Sequence, residues 1–185
     1  MTPDKALNEL LAGNQRFVQG HATAMNSIED RAQLAAGQTP IAAVIRCADS
    51  RVAPEIVFDQ PLGKLFVCGV AGNIPTAEIV ESIEYAMWSL GATLIVVMGH
   101  SQCGAVAAAM QNEVVEGVFA QVALAPTPDL DDCIAHNAEQ GINTILNRSY
   151  MIEEAVKNGS VQIVAGVQDI VSGEFELVAQ TQLNH

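Results

Sequence analysis

The sequence predicts an α/β fold: a mostly parallel central sheet of four strands plus an antiparallel edge strand, with helices on both faces. Three observations predict it. Short apolar runs alternate with stretches of helical periodicity, the pattern of strand–helix–strand units. The run at 93–98 is apolar almost throughout, as a strand covered on both faces must be. Half of the 185 residues are hydrophobic while only 4% are aromatic, the composition of an Ala/Val/Ile/Leu-packed core.

The elements follow in order. Residues 3–19 read as a helix: Thr2 can cap it, Pro3 suits its first turn, and Leu7, Leu10, Leu11 and Phe17 approximate one stripe. Residues 20–27 are polar and loop-like, and 28–36 form a second helix closed by Gly37. The first strand is 41–46, and 54–58 is a single helical turn. The second strand is 65–70, followed by the turn Ala71-Gly72-Asn73-Ile74-Pro75. Residues 76–90 make a long helix, capped by Thr76 and ended by Gly91, with Ile79, Ile83, Ala86, Met87 and Leu90 inward. After the strand at 93–98, a helix runs over 104–111. Ala125-Pro126-Thr127-Pro128 breaks the chain before helices at 129–147 and 149–158. The fourth strand is 161–167, and Ser172-Gly173 turns it into an edge strand at 174–178. No repeat or composition shift divides the chain, so residues 1–185 read as one domain, with 1–37 an N-terminal helical arm.

The charge balance excludes whole classes of function. With 21 acidic against 8 basic residues and a net charge of -13, the chain lacks the clustered Lys and Arg that nucleic acid demands. No apolar run approaches transmembrane length and the N-terminus is charged, so no membrane partner is expected and the expected location is cytoplasmic, with an organelle or microcompartment as the open alternative. Four cysteines in such a chain point to metal binding or catalysis before disulfides. Cys68 and Cys133 have no partners at ligand spacing and read as plain buried or half-buried thiols; His21, His136 and His185 read as solvated.

Two stretches carry the chemistry. Cys47-Ala48-Asp49-Ser50-Arg51 sets a thiol, a carboxylate and a guanidinium on alternate residues just past the first strand. Gly99-His100-Ser101-Gln102-Cys103-Gly104 follows the third strand. Right-handed crossovers bring both strand ends to the same side of the sheet, where open α/β sheets bind ligands. Cys47, His100 and Cys103 then form a soft, nitrogen-containing set suited to zinc, with a fourth position left open. Two thiolates cancel the formal charge of Zn²⁺, so its water needs help to ionise. Asp49 can accept that water's proton in a hydrogen bond, and Arg51 can hold Asp49 ionised; Asp49 could instead swing onto the metal and close the site. Either stretch alone is a weak signal, since a lone Cys or His is often packing. Both together, each after an apolar strand, favour an open zinc site over a structural one.

Cys47-Ala48-Asp49-Ser50-Arg51-Val52 with Pro54-Glu55, then Ala71-Gly72-Asn73, then the histidine stretch, resembles the β-class carbonic anhydrases, in the open-site, plant-like subgroup. Leu11-Ala12-Gly13-Asn14-Gln15-Arg16-Phe17 resembles the N-terminal helix of a bacterial branch, and 161–173 the closing strand and turn. The resemblance implies reversible hydration of CO₂ to bicarbonate and a proton by hydroxide held on zinc, with Cys47, His100 and Cys103 as ligands and Asp49 and Arg51 as the catalytic dyad. It implies a homodimer or dimer of dimers, a projecting N-terminal helix wrapping the partner, and an apolar CO₂ pocket at the interface. By motif position that pocket falls on Gln38, Phe66 and Tyr85, with Gly104 completing the substrate side. The bland alternatives are core packing for Phe66 and Tyr85 and a turn role for Gln38.

The chain also departs from the family. Gly69 stands where the family usually has Arg, next to an unusual Cys68; Arg46 stands directly before Cys47, where a small residue is common; Gln168 replaces a frequent Tyr. Arg46 is expected to occupy part of the space and charge vacated at position 69. Two rival functions use the same residues: hydrolysis of carbonyl sulfide or carbon disulfide on the same zinc, and a non-catalytic zinc-stabilised scaffold. The second has no use for an Asp49–Arg51 dyad.

Overall fold

The computed structural model describes residues 1–24, 28–111 and 116–182, without the side chains of 28–30. Residues 25–27 of the expected loop, and His185, lie outside the described residues. The elements are α1 (Pro3–Val18), α2 (Ile28–Leu34), β1 (Ala42–Cys47), α3 (Pro54–Val57), β2 (Leu65–Val70), α4 (Ala77–Leu90), β3 (Leu94–His100), α5 (Gly104–Met110), α6 (Leu130–Arg148), α7 (Tyr150–Lys157), β4 (Gln162–Gln168) and β5 (Phe175–Gln180). One five-stranded sheet has the order β2-β1-β3-β4-β5, parallel throughout except for the β4–β5 pair.

Strand alternation sorts the core into two layers. Ala42, Val44, Leu94, Val96 and Met98 face one layer with Ala6 and Leu10 of α1, Phe58 and Val106. Ala43, Ile45, Ile95, Val97 and Ile163 face the other, against Ile79 and Ile83 of α4, Ile142 and Ile145 of α6 and Ile152 of α7. β3 is buried at every position. After β2 the chain crosses from one side of β1 to the other, so β1 and β3 meet at a topological switch point. The carboxyl ends of these two strands carry Cys47 and His100.

The expected strand and helix limits hold within two residues at most ends. Two expected caps differ. Thr2 and Thr76 occupy N-cap positions without a side-chain cap hydrogen bond, whereas Asp129 accepts from the Asp132 amide and Ser149 from the Ile152 amide. α4 ends as expected on Gly91, whose φ of 78° needs a glycine.

The inner face of α1 is docked by a buried amide. Asn14 Nδ2 donates to the carbonyls of Val57 (3.1 Å) and Gly173 (2.9 Å), and its Oδ1 accepts from the Phe175 amide (2.9 Å). Arg16 of the same helix pairs with the buried Asp59, which also accepts from the Thr23 and Ala24 amides. Asn14 thereby ties the first helix both to α3 and to the start of β5. Asn14→Ala leaves two carbonyls and one amide without partners in a buried place. It should cost about 2–4 kcal/mol in urea denaturation, with an unchanged denaturant slope.

Candidate metal centre

β1 and β3 deliver the two halves of the site to one point. Cys47 closes β1 and His100 closes β3. After His100 the chain turns sharply through Gln102, whose φ of 56° is left-handed and uncommon for a residue with a side chain. That turn brings Cys103 back beneath His100, directly before α5. The ligand atoms of Cys47, His100 and Cys103 all lie within 4.8 Å of one another, and all three residues are buried.

The donor set fits zinc. The Sγ atoms of Cys47 and Cys103 are 4.0 Å apart, close to the edge of about 3.8 Å that two sulfurs span on a tetrahedral zinc. His100 Nδ1 is 2.9 Å from the Ser101 carbonyl. That bond fixes the proton on Nδ1 and leaves Nε2 with its lone pair free. Nε2 is buried and has no hydrogen-bond partner among the described residues. An orphaned, fully buried imidazole nitrogen beside two thiols is costly as protein structure and ordinary as a metal ligand.

The electrostatics agree. Cys103 hydrogen-bonds to Cys47 and pulls the Cys47 thiol well below its usual pKa, while the same contact and burial push the Cys103 thiol up. The Gly72 amide also donates to Cys47 Sγ at 3.3 Å, favouring a thiolate there. Burial opposes charge on His100, but Cys47 and the Ser101 carbonyl outweigh it and raise its pKa.

Asp49 and Arg51 stand beside this group. Arg51 Nε and Nη2 bind the two carboxylate oxygens of Asp49 at 2.9 and 2.7 Å, and the Arg51 amide adds a third bond of 2.9 Å. Arg51 holds the Asp49 carboxyl well below the usual carboxylate range. Arg51 Nη2 also reaches the Gln102 carbonyl at 3.4 Å, linking the two stretches. Asp49 Oδ2 is 3.9 Å from His100 Nε2. The carboxylate is therefore close to the group but engaged by Arg51.

The expected substrate residues are placed differently. Phe66 and Tyr85 come together, with ring centroids 6.2 Å apart, and Tyr85 is half exposed on α4. Phe66 packs against the second core layer. Gln38 lies in an open cleft with Leu34, Leu62 and Gly63. Gly104 opens α5, with free space around its α-carbon. Cys133 is buried and Cys68 half-buried, as read from the sequence. His21 is exposed but His136 is half-buried on α6.

One supporting residue escaped the sequence reading. Asn137 Nδ2 donates to the Gly72 carbonyl at 2.9 Å, and its Oδ1 accepts from the Ala123 amide at 3.0 Å. It braces from α6 the loop whose Gly72 amide meets Cys47. The available signal was a polar residue inside the apolar stripe Ile134, Ala138, Ile142 and Ile145.

Comparison with known proteins gives this geometry a family. The carbonic anhydrase family model matches residues 42–175. Carbonic anhydrase 2 of Mycobacterium tuberculosis is 38% identical over 191 residues, covering 95% of this chain and 92% of the relative. A carbonic anhydrase of Mycolicibacterium smegmatis is 36% identical, with 95% and 93% covered. Among solved structures, the β-carbonic anhydrase CcaA superposes with a TM-score of 0.71 at 25% identity, covering 97% of this chain and 95% of that one. One of two tetrameric β-carbonic anhydrases from Sordaria macrospora gives 0.71 at 24% identity, with 97% of each chain covered. The strand order, the paired stretches at the switch point and these relatives agree: the chain belongs to the β-class carbonic anhydrases.

Proposed function

We propose that the protein catalyses the zinc-dependent reversible hydration of CO₂ to bicarbonate and a proton, with Cys47, His100 and Cys103 holding the metal. The observation that carries the assignment is the buried, partnerless Nε2 of His100 facing two cysteine sulfurs. Zinc, when bound, supplies the Lewis acidity that lets a water ionise near neutral pH. The rest is the work of the chain. Asp49 accepts a hydrogen bond from the attacking water and aims its lone pair, and Arg51 keeps Asp49 ionised and turned toward the group. Arg51 engages both carboxylate oxygens of Asp49, which supports the reading of an open site.

Gln38, Phe66, Tyr85 and Gly104 are assigned to the substrate side, with CO₂ and bicarbonate as the small-molecule partners. The first three lie apart from the cysteines within one chain, which favours a pocket completed by a second copy in a homodimer or dimer of dimers. The exposed Tyr85 and Trp88 on α4 support such an association. Among the described residues no helix is long and apolar enough to cross a membrane, and a cytoplasmic location is the working assignment.

Parallel assays of zinc-loaded protein on CO₂, carbonyl sulfide and carbon disulfide test the reading. CO₂ hydration well above the buffer rate is expected. Negligible CO₂ hydration alongside hydrolysis of either sulfur compound would overturn it.

A further inference from the structure

We propose that Arg46 is a positioning residue for this site, a clamp that fixes the backbone carrying Cys47 and Asp49; the inference rests on the proposed CO₂ hydration. Arg46 is the penultimate residue of β1. Its side chain folds forward over the strand end. Nη1 donates to the Cys47 carbonyl at 2.7 Å and reaches the Asp49 carbonyl at 3.4 Å. Those two peptide units flank Ala48 and Asp49, and the Ala48 amide, in the same peptide unit as the Cys47 carbonyl, is anchored to the Val70 carbonyl of β2 at 3.0 Å. The loop is thus held from the far side by Arg46 and β2, while Arg51 holds the carboxylate from the near side.

The room for this arrangement comes from Gly69. It is the register neighbour of Arg46 on β2. A Cβ at position 69 would lie 3.3 Å from Arg46 Nε and 3.5 Å from its Cζ. A side chain there would press on the guanidinium and make it give way slightly. The position is a poor one for stability alone, because Arg46 Nε is buried and has no partner among the described residues. What the guanidinium gains is contact with the two carbonyls of the catalytic segment. A general base must sit within hydrogen-bond reach of its proton, and a displacement of about 1 Å costs on the order of a hundredfold in rate. Arg46 acts through Asp49 and touches no reacting atom itself.

A double-mutant cycle on the zinc-loaded protein tests this. Arg46→Ala should lower kcat/KM about tenfold to a hundredfold, mainly through kcat, with zinc content unchanged. In an Asp49→Asn background the same substitution should cost less than about twofold, because the residue it positions has lost its function. Gly69→Ala keeps the guanidinium but crowds it; a smaller loss, again confined to the Asp49 background, is expected even where Arg46→Ala folds poorly. A crystal structure of the Arg46→Ala or Gly69→Ala protein should show the Asp49 carboxylate displaced from its 2.9 Å bond to Arg51 Nε. Equal losses in both backgrounds, or an unmoved Asp49, would overturn the proposal. A wild-type protein inactive on CO₂ would instead sink the functional reading, and the position of Asp49 in the crystal would still decide the role of Arg46.

Discussion

Cys103→Ala should remove the metal and, with it, the activity. The variant should purify with less than a tenth of the zinc of the parent protein, measured by atomic emission, and CO₂ hydration should fall by at least about a thousandfold. The reasoning is geometric. Three ligand atoms within 4.8 Å of one another define the site; two leave the ion bidentate and exchangeable. The loss reaches the fold as well. Where a metal binds only the native state, its binding free energy is folding free energy. The melting temperature of the parent should therefore drop on prolonged chelation, and that of Cys103→Ala should not. A Cys103→Ala protein that kept stoichiometric zinc would show that the ligand set is wrong.

Asp49→Asn separates catalysis from metal binding. Asparagine keeps the shape but cannot hold the charge that Arg51 pairs with at 2.7 and 2.9 Å. Zinc content should stay at the parent level while kcat/KM falls about tenfold to a hundredfold. The pH dependence follows from the sign of the shift. The carboxyl of Asp49 is held below its ordinary range, so it is ionised wherever the enzyme works. The gap between parent and variant should persist from about pH 6 to 9 rather than close at the acid end. In a scaffold whose zinc only stabilises the fold, the same substitution would change nothing measurable.

The layout of the sheet was readable because the signal is periodic. Apolar runs at 41–45 and 94–98, with another strand and a helix ended by Gly91 between them, encode a covered parallel sheet locally. The grouping of Cys47, His100 and Cys103 was readable for a different reason: the two stretches that carry them each lie within six residues of sequence, and the switch point brings their ends together. Arg46 was readable as a departure, a charged residue where a small one is common, and the structure sets its guanidinium against Gly69 as expected. What could not be read is tertiary and non-periodic. Nothing near Asn14 announces partners 159 and 161 residues away. The left-handed Gln102 is imposed by the need to return Cys103 toward His100, and glutamine carries no preference for that conformation. Thr2 and Thr76 have the right side chains for capping, yet those side chains make no cap bond.

The tie between Asn14 and β5 bears on how this chain matures during synthesis. Two of the three hydrogen bonds of the amide that docks the first helix go to Gly173 and Phe175. Until those residues have left the ribosome, Asn14 keeps only its bond to the Val57 carbonyl, and α1 rests on α3 and β3 without its full docking. The ring of Phe58 waits too, since the partner that meets it edge-on at 5.0 Å is Phe175. Docking of the first helix is thus completed by residues 159 and 161 positions away, so a nascent chain stalled before β5 should hold α1 less firmly than the full chain, a difference that limited proteolysis of the two would read.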